Sequence, residues 1–248
     1  MTAIATARGL TVRYGEVVAL EAIDAEIPRG RSIAVLGPNG SGKSTLFTAA
    51  VGLREPTAGS VDVATDRIAY LPQQMAVDPM FPATVGDVVA MGRWGDLGPW
   101  RRMSGDDRAL VEAAMEKLAV GHLARRRLGD LSGGQRQRAL LAQVAAQDAE
   151  LLLLDEPFTG VDSPTEEAVR DLITSWRDEG RTVMVATHDL ARAARDYDLV
   201  LALNRRLIAF GPAAETCTEE VLAATFAGHV ARVGDLLIET EHRHPGAG

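Results

Sequence analysis

Short apolar runs alternate along this chain with longer stretches of mixed polarity. The runs at 33–36, 151–154, 183–186 and 199–203 carry no alternating polar residue. Each is too short for a helix of its own, and strands buried on both faces of a parallel sheet read this way. The stretches between them show a helical period. Val169, Leu172, Ile173 and Trp176 fall at i, i+3, i+4 and i+7, behind Ser163 as a cap and Pro164 at the first helical position. Val111, Ala114, Met115 and Leu118 repeat that spacing, with Asp106 and Asp107 near the start. Strands alternating with helices predict an α/β core built on a parallel sheet.

The N-terminal segment breaks this rhythm. Residues 11–14 and 17–19 flank Gly15 and Glu16, a pattern that predicts a hairpin and hence a small antiparallel sheet beside the core. The segment from residue 81 to 131 is mostly helical in pattern and separates two core strands. With the helical pattern after it, it reads as an inserted helical part spanning 81–145. The main domain is expected over 1–238, with a polar, disordered tail at 239–248.

Composition narrows the class. The chain has 248 residues and a net charge of −8, which argues against a general nucleic-acid binder. A single cysteine, Cys217, excludes an intrachain disulfide. No signal peptide is apparent, and no stretch approaches the roughly 18–20 apolar residues that span a bilayer. Any action at a membrane then needs another chain to do the crossing.

The chemistry begins after the first apolar run. Gly37, Pro38, Asn39, Gly40, Ser41, Gly42, Lys43 and Ser44 match G-x-x-x-x-G-K-[ST] in full, between a predicted strand and a predicted helix at 44–53. The glycines let consecutive backbone N–H groups face one anion, and the helix start adds partial positive charge. Lys43 supplies a mobile charge for the β- and γ-phosphates, and Ser44 a hydroxyl for Mg²⁺. Thr45 follows in the same ATP-binding set. The run at 151–154 ends in Asp155 and Glu156. With a phosphate loop upstream, Asp155 is expected to bind Mg²⁺, directly or through water, and Glu156 to orient or deprotonate the attacking water.

Leu131, Ser132, Gly133, Gly134 and Gln135 open another helical stretch, running to residue 147, whose start is a second anion site. These residues match LSGGQ, and over nearly its whole length the chain resembles the nucleotide-binding subunit of ABC transporters. The resemblance implies a P-loop NTPase core of RecA-like type, with an N-terminal antiparallel β subdomain and an inserted α-helical subdomain. It implies two copies sandwiching two ATP molecules, with Ser132, Gly133, Gly134 and Gln135 of one copy facing the phosphate loop of the other. Tyr14 matches the aromatic that stacks on adenine, and Gln73 the glutamine that reaches Mg²⁺ and the attacking water, with Gln74 as a rival. Asp162 lies in the loop that meets the opposite copy, and His188 matches the histidine that holds the γ-phosphate.

The wording of residues 81–93, 156–162, 203–208 and 223–226 is similar to the manganese/zinc group of ABC importers, and iron-complex and cobalamin importers share much of it. This implies an ATP-hydrolysing importer subunit with a separate integral-membrane permease, an extracytoplasmic solute-binding protein and a place on the cytoplasmic face of the membrane; the alternative of another class is a soluble ABC ATPase without a transport role. Residues 81–93, followed by Arg101 and Arg102, are expected to form the surface that receives the permease. The stretch between Gly52 and Ile68 is shorter than in many relatives, which predicts a trimmed hairpin or loop. His242 and His244, in the tail, read as solvated side chains.

Overall fold

The computed structural model describes residues 2–73, 82–97, 102–226, 230–233 and 236–239. In chain order the elements begin with β1 (Ala3–Tyr14), β2 (Val17–Pro28), β3 (Ser32–Leu36), α1 (Lys43–Ala50), β4 (Ala58–Val63) and β5 (Ile68–Leu71). Then come α2 (Val85–Met91), α3 (Trp94–Leu97), α4 (Gly105–Lys117), α5 (Gly133–Ala146), β6 (Leu151–Asp155), α6 (Ser163–Asp178) and β7 (Thr182–Thr187). The chain closes with α7 (Leu190–Asp196), β8 (Leu199–Asn204), β9 (Arg206–Pro212), α8 (Ala213–Thr216), α9 (Glu219–Thr225), β10 (Val230–Val233) and β11 (Leu236–Glu239). Of the tail expected at 239–248, Glu239 is instead the last residue of β11, and the rest, histidines included, lies outside the described residues.

These elements form two compact units, Met1–Ala64 with Met184–Gly248, and Thr65–Val183. In the first, β1 and β2 pair antiparallel around Gly15 and Glu16, with Gly15 at a φ of 58° and Tyr14 opposite Val17. The predicted hairpin is there, and its strands run well past the residues that signalled it. β4 joins the other edge of β1, giving the order β2-β1-β4. At that edge Gly59 approaches so closely that a Cβ would stand 2.3 Å from the Gly9 carbonyl oxygen. β3 is buried along its whole length, pairs parallel with β8 and neighbours β7. β9 returns antiparallel along the far edge of β8. The helix after the loop ends at Ala50, earlier than its apolar pattern predicts, because the chain turns at Gly52 with a φ of 74°.

The second unit pairs β5 with β6 in parallel, and the Thr182 N–H at the start of β7 donates to the Glu150 carbonyl at 2.9 Å. α6 buries Val169, Leu172, Ile173 and Trp176, the stripe its period predicts. Its cap differs from expectation: Asp162, not Ser163, accepts from the Thr165 N–H, and Pro164 stands second in the helix. Asp and Ser are both good caps, and one step of register separates the two solutions. α4 starts on a reciprocal cap between Ser104 and Asp107. Between β5 and β6 the described residues hold helices and one isolated bridge, from Thr84 to Arg127.

Candidate functional site

In the first unit, the backbone of residues 37–42 turns from β3 into α1, and close packing dictates its glycines. A Cβ on Gly37 would lie 2.1 Å from the Leu203 carbonyl oxygen, and one on Gly42 would lie 2.6 Å from that of Ala19. Gly42 also holds a φ of 103°, a conformation essentially closed to other residues. Asn39, Gly40 and Ser44 are exposed, Pro38 is half-buried, and Ser41, Lys43 and Thr45 are buried. The Lys43 ammonium folds back over the loop, donating to the carbonyls of Gly37 at 2.7 Å and Pro38 at 3.0 Å. The Ser41 hydroxyl is buried and meets no hydrogen-bond partner among the described residues. A small turn with an exposed rim, a lysine and a helix start suits a phosphate chain.

Two further predicted residues belong to this unit. Gly37 donates its N–H to the carbonyl of Thr187 at 3.4 Å, so the loop starts beside the residue that precedes exposed His188. Next to His188, Asp189 caps α7. Tyr14 ends β1 with 46% of its surface exposed. Arg54 lies over its ring, 4.1 Å from the centroid, and donates to the Arg13 carbonyl at 2.7 Å. Sequence reasoning did not find Arg54, since nothing in local spacing links positions 14 and 54.

In the second unit, Asp155 closes β6 and is 2% exposed, and Glu156 follows at 8%. Glu156 holds a φ of 51°, in the left-handed region. Its Oε2 accepts from Gln73 Nε2 at 3.0 Å and from the Thr159 hydroxyl at 3.1 Å. The structure therefore brings Gln73 to Glu156; Gln74 lies outside the described residues. Thr159 was not foreseen, because a threonine in a turn gives no motif.

Ser132 caps α5 from its side chain, accepting from the Gln135 N–H at 3.3 Å, while Gln135 Oε1 accepts from the Ser132 N–H at 3.2 Å. The start of α5 lies against the start of α6. A Cβ on Gly134 would stand 2.9 Å from Thr165 Oγ1 and 3.2 Å from Asp162 Oδ1. Hydrogen bonds from the Thr165 side chain and N–H, aided by the Arg138 charge, hold the Asp162 carboxyl below its ordinary range. Gln137 donates to the Pro157 carbonyl at 3.1 Å, tying α5 to the turn after Glu156.

The expected partner-facing segment needs one correction. Phe81 lies outside the described residues, and Arg93 is not on a surface: it is 7% exposed. Its Nε donates to Asp107 Oδ1 at 3.1 Å, and its Nη1 donates to the carbonyls of Ala146 at 3.0 Å and Gln147 at 3.2 Å. Gly92 allows this packing, since a Cβ there would lie 2.4 Å from the Gln143 carbonyl oxygen. Among the described residues of this neighbourhood, Pro82, Asp87, Trp94, Gly95 and Arg102 are exposed; Arg101 is outside the described residues.

Among the described residues no cluster of three or more His, Cys, Asp or Glu side chains is arranged to hold a metal ion. The residues suggested for Mg²⁺, namely Ser44, Gln73 and Asp155, offer oxygen donors with one carboxylate. Each is an oxygen donor of the kind Mg²⁺ takes, Ser44 lying in the first unit and Gln73 and Asp155 in the second. Among the described residues no helix is long and apolar enough to cross a membrane.

The comparisons with known proteins agree with these features. Residues 20–159 match the family model described as ABC transporter. The manganese transport system ATP-binding protein of Halalkalibacterium halodurans is 41% identical over 239 residues, covering 93% of this chain and 95% of that protein. The zinc transport system ATP-binding protein of Treponema pallidum is 41% identical, covering 89% and 86%. The chelated iron transport system membrane protein of Yersinia pestis is 43% identical, covering 80% and 70%. Among solved structures, a metal-chelate type ABC transporter in an inward-facing conformation superposes with a TM-score of 0.82 at 28% identity, covering 96% of each chain. A dimeric bacterial ABC transporter cassette superposes with a TM-score of 0.74 at 26% identity, covering 84% and 98%. With more than half its length inside the family model and relatives this similar along most of their own length, the chain belongs to the ABC transporter family.

Proposed function

We propose that the chain is the ATP-hydrolysing subunit of an ABC importer for a divalent metal ion, manganese or zinc, working with a separate membrane permease. The observation that carries the hydrolytic part is the Glu156 carboxylate, held at the end of β6 by Gln73 and Thr159. The phosphate loop, with Gly37, Gly40, Gly42 and Lys43, binds the phosphates of ATP, and Tyr14 stacks on its adenine. Glu156 takes a proton from the attacking water as its oxygen bonds to the γ-phosphorus. The bond to the β,γ-bridging oxygen breaks, ADP leaves, and His188 holds the γ-phosphate oxygens through the change. Ser44, Asp155 and Gln73 would hold Mg²⁺, which would supply positive charge to the β- and γ-phosphates.

The working unit is a pair of copies. Ser132, Gly133, Gly134 and Gln135 of one copy complete the site of the other, and Asp162 sits at the contact. Supporting this is the exposed, capped start of α5 beside Asp162, together with the dimeric cassette of similar fold. An extracytoplasmic solute-binding protein delivers the cargo, and the subunit sits at the cytoplasmic face of the membrane. Manganese and zinc follow from the relatives. Chelated iron is a second reading, favoured by the relative from Yersinia pestis.

Reconstitution in proteoliposomes with the cognate permease and solute-binding protein tests the proposal. ATP turnover is expected to rise with Mn²⁺ or Zn²⁺. Stimulation by chelated iron alone would move the cargo to the second reading. A chain that associates with no permease would overturn the transport role.

A further inference from the structure

Behind the phosphate loop, the tight turn between β8 and β9 is fixed from three sides. Arg205 holds a φ of 59°; its N–H donates to the Ser41 carbonyl at 2.8 Å, and its own carbonyl accepts from the Glu21 N–H at 2.8 Å. The Leu203 carbonyl lies directly against Gly37. Between them, Asn204 points its side chain the other way: Nδ2 donates to the carbonyl of Thr225, the last residue of α9, at 2.9 Å. Thr225 is fully buried, and its hydroxyl is spent on the Val221 carbonyl at 2.7 Å. One turn thus grips the end of α9 with a side chain and the phosphate loop with its backbone.

The direction of these bonds matters. In a trans peptide the C=O and the following N–H point opposite ways. With the Ser41 carbonyl held by Arg205, the Gly42 N–H of the same peptide plane is aimed away from the turn. With residues 37–44 as the nucleotide site, that N–H would be one of the loop's donors to phosphate. If the turn relaxes, the Ser41–Gly42 peptide loses its anchor and the donor loses its aim.

We propose that Asn204 is a positioning residue for the phosphate loop: by gripping the Thr225 carbonyl it holds the β8–β9 turn, and through it the Ser41–Gly42 peptide, in the phosphate-binding orientation. The end of α9 and the nucleotide are then linked, and by reciprocity each stabilises the other. This rests on the assignment of residues 37–44 as the nucleotide site.

The test compares binding of a fluorescent ATP analogue, steady-state turnover and Tm in the full chain and its Asn204→Ala, Asn204→Asp and Lys43→Ala variants. Asn204→Asp keeps the size but sets a carboxylate against a carbonyl. Both Asn204 variants are expected to raise Kd and KM for ATP about five- to tenfold, the worth of one hydrogen bond, with a much smaller fall in kcat. A lowered Tm with unchanged Kd and KM would mean a merely structural role and overturn the inference. Tight binding by the wild type that survives Lys43→Ala would overturn the loop assignment itself, which is a distinguishable failure. Hydrogen exchange on the wild type provides a measurement that needs no variant to fold. ATP is expected to slow exchange at the amides of Thr225 and Phe226, and an absence of that protection would overturn the link.

Discussion

At the scale of single residues, the candidate catalytic carboxylate is defined by what holds it. Glu156 Oε2 is shared between Gln73 and Thr159, so its position depends on two hydrogen bonds as well as on the strand that precedes it. Glu156→Gln keeps the length of the side chain and an acceptor oxygen for these donors, but loses the base. Turnover is expected to fall by about 100-fold or more while ATP binding persists, read from phosphate release and from analogue binding. Turnover at the wild-type rate would remove Glu156 from the role. Asp155 and Glu156 could be picked out in the sequence because two acids end an apolar run downstream of a phosphate loop. Thr159 and Arg54 could not, since each matters only through a contact that the fold creates.

At the scale of elements, legibility followed burial. β3, β6, β7 and β8 each hold an unbroken apolar run with polar residues only at their ends and were visible as such, whereas β4 and β9 mix exposed and half-buried positions and become strands only by pairing along an edge. Gly134 could be read as part of an anion-binding helix start, but not as the point where α5 meets α6. Arg93 read as a surface residue because its neighbours carry a partner-facing motif; the packing of Gly92 on α5 draws it inward instead. Its partner Asp107 makes a pH-dependent contribution. Hydrogen bonds from the Ser104 hydroxyl and N–H, and then Arg93, bring the Asp107 carboxyl from 3.8 down to about 2. A depressed folded-state value means the ionised form favours the fold. Its contribution is complete above the ordinary value and is lost as the pH falls through about 2. Urea midpoints of wild type and Asp107→Asn are therefore expected to differ by a constant amount at neutral pH and to converge between about pH 4 and pH 2. A gap that stays constant to the acid limit would contradict this.

At the scale of the whole molecule, the class was legible because the phosphate loop and the LSGGQ stretch stand in one short chain, and the second of these asks for a partner copy. Glu156→Gln, which binds ATP without clearing it, is expected to run as a dimer on size-exclusion chromatography when ATP and Mg²⁺ are present, and as a monomer without them. The dimer is expected to vanish when Lys43→Ala is added. A monomer under every condition would refute composite sites. The cargo was less legible, because it rests on wording shared among importers rather than on a residue of this chain that would touch the ion.

The left-handed backbone of Glu156 has a consequence for inheritance. A φ of 51° suits glycine better than any other residue. Glu156→Gly would delete the carboxylate and leave the chain content at that corner, so the altered subunit is expected to escape the surveillance that removes misfolded proteins. Such subunits would pair with normal ones and hold nucleotide without releasing it. A defect here is expected to behave as dominant: co-expressed with the normal copy, it lowers import below what the normal copies alone support.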